Sequence, residues 1–369
     1  ILNYGSDGIF VEGSNSEVTV TDSEIDQQSS SLVRTGNGVF VHNRADLELT
    51  GNTITRANNG VYVRNYTSSS NVPPTISASD NQILSNNIGV YVYGGSSGQD
   101  YPSVEFTGND IHGNINWNIN LTSGRDPANT LLNFTNNWWG TTDAVEIAAT
   151  IYDASFTTSR AYVDYLPMRN VSKADSNGVS TSLNYKAGWV TEEGTWTGDD
   201  IIVSGRVVIR DGGSLNIVAG TEIEFGPRGY LDALSKLTVS GEEGSPVMMR
   251  GYGSNPAVGS WSGVNLNGAG SEASSIRYLK LSDATTGLRV SGTGLNALEP
   301  INLVGLEVTN TSSHGITMSN SRVELTGADL EDIGEDGVVI TNSEVTASGV
   351  NILNYGSDGI FVEGSNSEV

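Results

Sequence analysis

The chain has 369 residues, with 42 acidic against 18 basic side chains and a formal charge of −24. It lacks the clustered Lys and Arg with which proteins neutralise nucleic-acid phosphates or dock on anionic lipid, so neither is an expected partner. No cysteine is present, which excludes disulfides, thiolate zinc sites and Cys nucleophiles, and the scattered His42, His112 and His314 give no zinc-ligand spacing. Only 16% of the residues are charged, so the surface must come largely from Ser, Thr, Asn and Gly, a composition that suits an extracellular protein.

The sequence opens without a signal-peptide pattern, and no apolar run is long enough to span a membrane. Residues 1–18, Ile1-Leu2-Asn3-Tyr4-Gly5-Ser6-Asp7-Gly8 through Glu17-Val18, recur unchanged at 352–369, an offset of 351 residues. Neighbouring segments share only a pattern, so this identity points to a covalent array of near-identical 351-residue units, on which the sequence is a window. What exports or anchors the protein is then expected outside the window.

A Gly followed by apolar-x-apolar stands at Gly8, Gly38, Gly60 and Gly89, and again at Gly315, Gly337 and Gly359. A second pattern places Asn52, Asn81, Asn109 and Asn137 at intervals of 29, 28 and 28 residues. Short period-two alternations bounded by turn formers are strand chemistry, and repeats of this length are the coils of a three-sided parallel β-helix. The Asn series is read as structural, either as turn formers or as an amide ladder along the axis. The residue two after each glycine faces outward while its neighbours face in. That rule lines up Phe10, Phe40, Tyr62 and Tyr91 as an aromatic stripe, beside a row of Glu12, His42, Arg64 and Tyr93. The stripe is expected to make contact with a neighbouring chain first and with stacked sugars second, against a merely self-stabilising role.

The pattern stops at Thr141. Asp143 reads as a helix N-cap with Glu146 as its capping-box partner, and Val145, Ala148 and Ile151 suit one buried face. A strand at Ala161–Tyr165 and a break at Pro167 follow. Beyond Asp199 a finer ruler appears, with Val207, Leu215, Ile223, Leu231, Val239 and Val247 eight residues apart. The expected organisation is all-β: 1–140 as the C-terminal part of one right-handed parallel β-helix unit, 141–187 as end cap and linker with one short helix, and 188–369 as the N-terminal part of the next unit. Trp138, Trp139, Trp189 and Trp196 are expected to bury aromatic area at the junction.

The run Asn136-Asn137-Trp138-Trp139-Gly140, with Ile151-Tyr152-Asp153 and Val163-Asp164-Tyr165, is similar to the closing segment of right-handed parallel β-helix repeat proteins of prokaryotic surfaces. Gly194-Thr195-Trp196 through Gly259-Ser260-Trp261-Ser262-Gly263 resembles their opening coils. The resemblance, within the pectin-lyase-like superfamily, implies fold more than function, because this scaffold hosts lyases, glycosidases, adhesins and fibres alike.

For catalysis the candidates are thin. Glu48 and Glu105 fall on one outward row about 10 Å apart, near the spacing of a glycosidase pair, but no basic residue accompanies them for a uronate. A tandem array suits a spacer better than a multiplied active site, so the chain is read as non-catalytic. Acidic groups Glu331, Asp332, Glu335 and Asp336, or Asp22, Glu24 and Asp26, are weak Ca²⁺ candidates; no other cofactor is expected. Sequons at Asn65, Asn120, Asn133, Asn170 and Asn310 are glycosylation candidates. The expected role is a structural subunit of an extracellular filament or stalk, self-associating end to end and laterally, with a glycan-binding adhesin as the alternative and a polysaccharide lyase or hydrolase third.

Overall fold

The computed structural model describes residues 1–14, 16–27, 35–65, 72–95, 99–175, 178–182, 184–295, 299–364 and 367. They form an all-β structure with one short α-helix, divided into two compact bodies, 1–183 and 184–369.

In the first body three parallel sheets make the three faces of a solenoid. The first face stacks Asp7–Glu12, Asn37–His42, Asn59–Arg64, Ile88–Tyr93, Trp117–Leu121 and Ile151–Tyr152. The second stacks Glu17–Thr21, Asp46–Thr50, Thr75–Ser79, Ser103–Thr107, Leu131–Asn133 and Tyr162–Asp164, and the third Glu24–Asp26, Thr53–Thr55, Gln82–Leu84 and Asp110–His112. Alternation decides which side chain enters the core. In Asn37–His42, Val39 and Val41 are buried and Phe40 lies half out, because successive strand residues point to opposite faces. Ile25, Ile54, Ile83 and Ile111 are register partners on the third face, all buried.

The glycine of each motif has a steric cause. A Cβ on Gly38 would lie 2.6 Å from the carbonyl oxygen of Gly60 and 2.5 Å from the Ile54 side chain. The same 2.6 Å approach separates Gly8 from Gly38, Gly60 from Gly89 and Gly337 from Gly359. Any larger residue would push one coil off the next.

The Asn series is a buried amide ladder. The side-chain oxygen of Asn81 accepts from the backbone N–H and the NH2 of Asn52, both at 2.9 Å. Its own NH2 donates to the carbonyls of Leu49 and Ser79 and to the amide oxygen of Asn109, each at 2.9 Å. Asn109 repeats the pattern on Asn137. Buried amides are tolerated here because every rung is satisfied by its neighbours along the axis.

The coils do not stop at Thr141. Ile151–Tyr152 and Tyr162–Asp164 each add a rung, paired with Trp117–Leu121 and Leu131–Asn133. The helix Ala144–Ala149 is an insertion between rungs, which hides the repeat in the sequence. Asp143 caps it as expected, accepting from the N–H groups of Val145 and Glu146. Its buried residues are Ala144 and Ile147, not Val145 and Ala148; Ile151 is buried as a strand residue. With Trp139 they are buried at the last rung, where Ile151 and Val163 keep only 2% and 3% exposure. Past this cap, Lys173 N–H donates to the buried carboxylate of Asp110 at 2.7 Å.

The second body is a 17-stranded parallel solenoid sheet that already begins at Tyr185–Val190. One inward row runs Val207, Leu231, Val264, Leu288, Ile316, Val338 and Ile360 in register. All residues of the eight-residue ruler are buried, although Leu215 pairs with Leu237 and Ile217 with Val239. Phe225 stacks on the fully buried Trp261 with ring centroids 4.0 Å apart. Long strands Ile316–Ile333 and Glu344–Tyr355 turn their corners at Gly327 and Gly349, with φ of 65° and 64°, which glycine adopts without strain.

Candidate functional site

On the first face of the first body, Phe10, Phe40, Tyr62 and Tyr91 are successive register partners. The row continues to Asn120 and Tyr152, where Trp117 and Phe156 join Tyr152 at centroid distances of 5.0 and 4.5 Å. Tyr152 was hidden in the sequence because it follows the helical insertion. Ring centroids along the stripe are 5.1, 4.6 and 5.0 Å apart, and Phe40 and Tyr62 are stacked within 7° of parallel. Phe40 and Tyr62 therefore spend one ring face on each other, while the Phe10–Phe40 and Tyr62–Tyr91 pairs are tilted by 52° and 41°.

Burial pushes the Tyr62 hydroxyl up to about 12 and raises Tyr91 in the same direction, so both stay neutral. The neighbouring row, Glu12, His42, Arg64 and Tyr93, is in register too. His42 Nδ1 lies 3.2 Å from Glu12, which also accepts from the Asn43 side chain at 2.9 Å. Burial lowers the His42 pKa against the pull of Glu12.

Glu48 and Glu105 are exposed on one outward row with Ser77 between them. Beside Glu105 a groove of about 450 Å³ is lined by Asp100, Tyr101, Arg125, Asp126, Thr130 and Asn133 among others. Arg125 lies 3.8 Å from Asp100 there.

The tryptophans are distributed over the two bodies. Trp139 is buried, and Trp138 packs edge-on against His112 at 6.4 Å. In the second body Trp196 is buried, and the Arg210 guanidinium sits 4.3 Å over the Trp189 ring.

Among the sequence candidates, Asn65 and the Ca²⁺ groups are corrected. Asn65 is fully buried and its NH2 donates to the Asp100 carbonyl at 2.7 Å, so the folded body does not present it for glycosylation. Asn120, Asn133, Asn170 and Asn310 are only half-exposed; Asn133 accepts from Thr135, Asn170 from the Val179 N–H, and Asn310 donates to Asp283 at 2.6 Å. As to Ca²⁺, among the described residues no three acidic or His side chains form a group able to hold a metal. Glu335 and Asp336 instead flank His314, each at 3.3 Å, and Asp332 accepts from Asn354, while Glu331 is exposed. Asp26 is buried against Arg56.

The repeated segment folds in both bodies. Asn3 and Asn354 have φ of 55° and 51°, and Gly13 and Gly364 of 105° and 96°. Each copy is an outermost strand among the described residues, Asp7–Glu12 paired only with Asn37–His42 and Ile360–Glu363 only with Val338–Thr341.

Residues 1–137 match the family described as right handed beta helix region. No curated protein and no solved structure matches the chain.

Proposed function

We propose that the protein is a structural subunit of an extracellular filament or surface stalk, built from β-helix bodies joined end to end, and that it is not an enzyme. The observation that supports this reading is the repeated coil: one sequence recurs 351 residues on and folds with the same turns as a parallel strand of both bodies. In the first body the opposite end is covered, with its last rung buried. The Ser, Thr and Asn surface with its acidic charge keeps such a rod soluble away from its ends.

Negative-stain microscopy tests the reading. About 12 coils per 351-residue unit give about 60 Å of β-helix, so fibres should repeat axially at about 60 to 80 Å. Isolated compact particles at all concentrations would overturn it.

A glycan-binding adhesin is the second reading. The groove beside Glu105 favours it, because its hydroxyl, carboxylate and guanidinium lining suits a polyhydroxylated ligand. Retention on a glycan array that is lost on Arg125→Ala and Glu105→Gln substitution would support that role.

A further inference from the structure

We propose, resting on the filament reading, that residues 352–363 are a through-coil: their open side is covered by residues 24–26 and 37–43 of another copy of the first body. They thereby take the place that residues 1–12 hold there.

The two copies of the sequence are paired on opposite sides. Ile360, Phe361 and Val362 pair with Val338, Val339 and Ile340, whereas Ile9, Phe10 and Val11 pair with Val39, Phe40 and Val41. Leu353 pairs with Glu331, whereas Leu2 bridges to Asp26. Superposing the copies gives one coil with both edges satisfied and no change of register. As they stand, Leu353, Tyr355, Ile360 and Val362 are 49%, 47%, 48% and 46% exposed, and Ile1, Leu2 and Phe10 are about as open at 52%, 53% and 51%.

The glycines give an independent argument. A Cβ on Gly356 would fall 2.0 Å from the Gly334 carbonyl, but on its counterpart Gly5 it would meet nothing within 4 Å. Conversely, a Cβ on Gly8 would fall 2.6 Å from the Gly38 carbonyl, whereas on its counterpart Gly359 the nearest atom is the Tyr355 ring at 3.5 Å. Each copy thus carries one glycine that its own body does not require. Both are required when the coil has neighbours on both sides.

Charge separates this arrangement from simple stacking of one open coil on the other. Stacked in register, Asp358 would face Asp7 and Glu363 would face Glu12, and like charges directly opposite are destabilising. In the through-coil, Asp358 meets Asn37, whose side chain donates to Asp7 at 2.7 Å, and Glu363 meets His42 and Asn43, which hold Glu12.

Since these 369 residues contain no cysteine, the register can be read by cross-linking of the 369-residue chain. Strands about 4.8 Å apart lie within disulfide reach. Mixed under mild oxidation, Phe361→Cys and Phe40→Cys chains should form a mixed disulfide at least about tenfold faster than Phe361→Cys and Phe10→Cys chains. The reverse preference would show coil-on-coil stacking, overturning the through-coil but leaving the filament reading intact. Neither cross-link, with fibres still present in the microscope, overturns the through-coil alone; neither cross-link and no fibres overturns both. A rearranged chain in which 184–369 runs directly into 19–183 gives a second measurement. It should unfold in one transition and slow hydrogen exchange at 360–363 by about tenfold or more. Two transitions, unchanged exchange or failure to fold would count against the proposal.

Discussion

Asn81→Ala tests how the first body is held together. Asn81 is fully buried, and its amide accepts two bonds from Asn52 and donates to Leu49, Ser79 and Asn109. Alanine removes all of them and strands the Asn52 N–H away from water. An ordinary bond contributes about 1 kcal/mol net, and a buried group left unpaired costs about 1 to 3 kcal/mol. One stranded group together with the lost bonds sets the scale of the loss at about 2 to 4 kcal/mol, a large part of the 5 to 15 kcal/mol that usually holds a domain. Asn81→Asp should be worse at neutral pH, because a carboxylate keeps the accepted bonds but turns oxygen toward the Leu49, Ser79 and Asn109 oxygens. Urea unfolding gives the loss, and hydrogen exchange at Asn52 places it on the right rung. Asn116→Ala is the control: its bond to Asn87, 2.7 Å long, is exposed and should cost less than about 1 kcal/mol. A loss below about 1 kcal/mol for Asn81→Ala, or full stability in Asn81→Leu, would refute the view that the ladder ties coil to coil.

Trp139→Ala should lower first-body stability by about 3 kcal/mol or more, as for other buried aromatics, and an unchanged urea midpoint would show that the cap does not depend on it. Replacing Phe40 and Tyr62 by Ser should leave single rods folded, losing about 0.2 to 1 kcal/mol per ring pair, while abolishing lateral bundling of fibres; bundles that persist would make the stripe purely structural. Burial holds the His42 pKa below its ordinary 6.5, so its contribution to stability is present above that value and is lost as pH falls through the lowered one; His42→Gln should flatten the urea midpoint over that range. Tyr62 has the opposite sign: with its hydroxyl pushed up to about 12, stability is full below pH 10 and declines between 10 and 12, and Tyr62→Phe should remove that decline.

The coil motif was legible because its cause is local and repeated. Gly38 must be small for Gly60 to approach, and Val39 and Val41 must be apolar to fill the axis, so both appear in the sequence as a period. The amide ladder through Asn52, Asn81, Asn109 and Asn137 was legible for the same reason, though its double acceptance at each oxygen was not. A second ladder, Asn86 to Asn114, escaped because it lies in turns where Asn is common in any case. The last rung was missed where an insertion, the helix Ala144–Ala149, interrupts the period. Side-chain convergence was the least legible. Asp332, Glu335 and Asp336 are close in sequence, yet strand alternation and a turn send them to Asn354 and to two sides of His314.

The ends of the first body differ in kind, and that difference gives the rod a direction. A parallel solenoid cannot close its edges by pairing with itself, so each end must be covered or extended. At the cap the amide ladder is terminated: with no further Asn above it, Asn137 turns its NH2 to the Phe106 and Phe134 carbonyls at 2.8 and 2.6 Å. At the other end the ladder's first oxygen, on Asn52, accepts only a backbone donor, Ser23 N–H at 3.0 Å, and the coil outside it carries half-exposed Ile1, Leu2 and Phe10. All coils of the body run in one sense, so any filament made by joining such bodies end to end is polar.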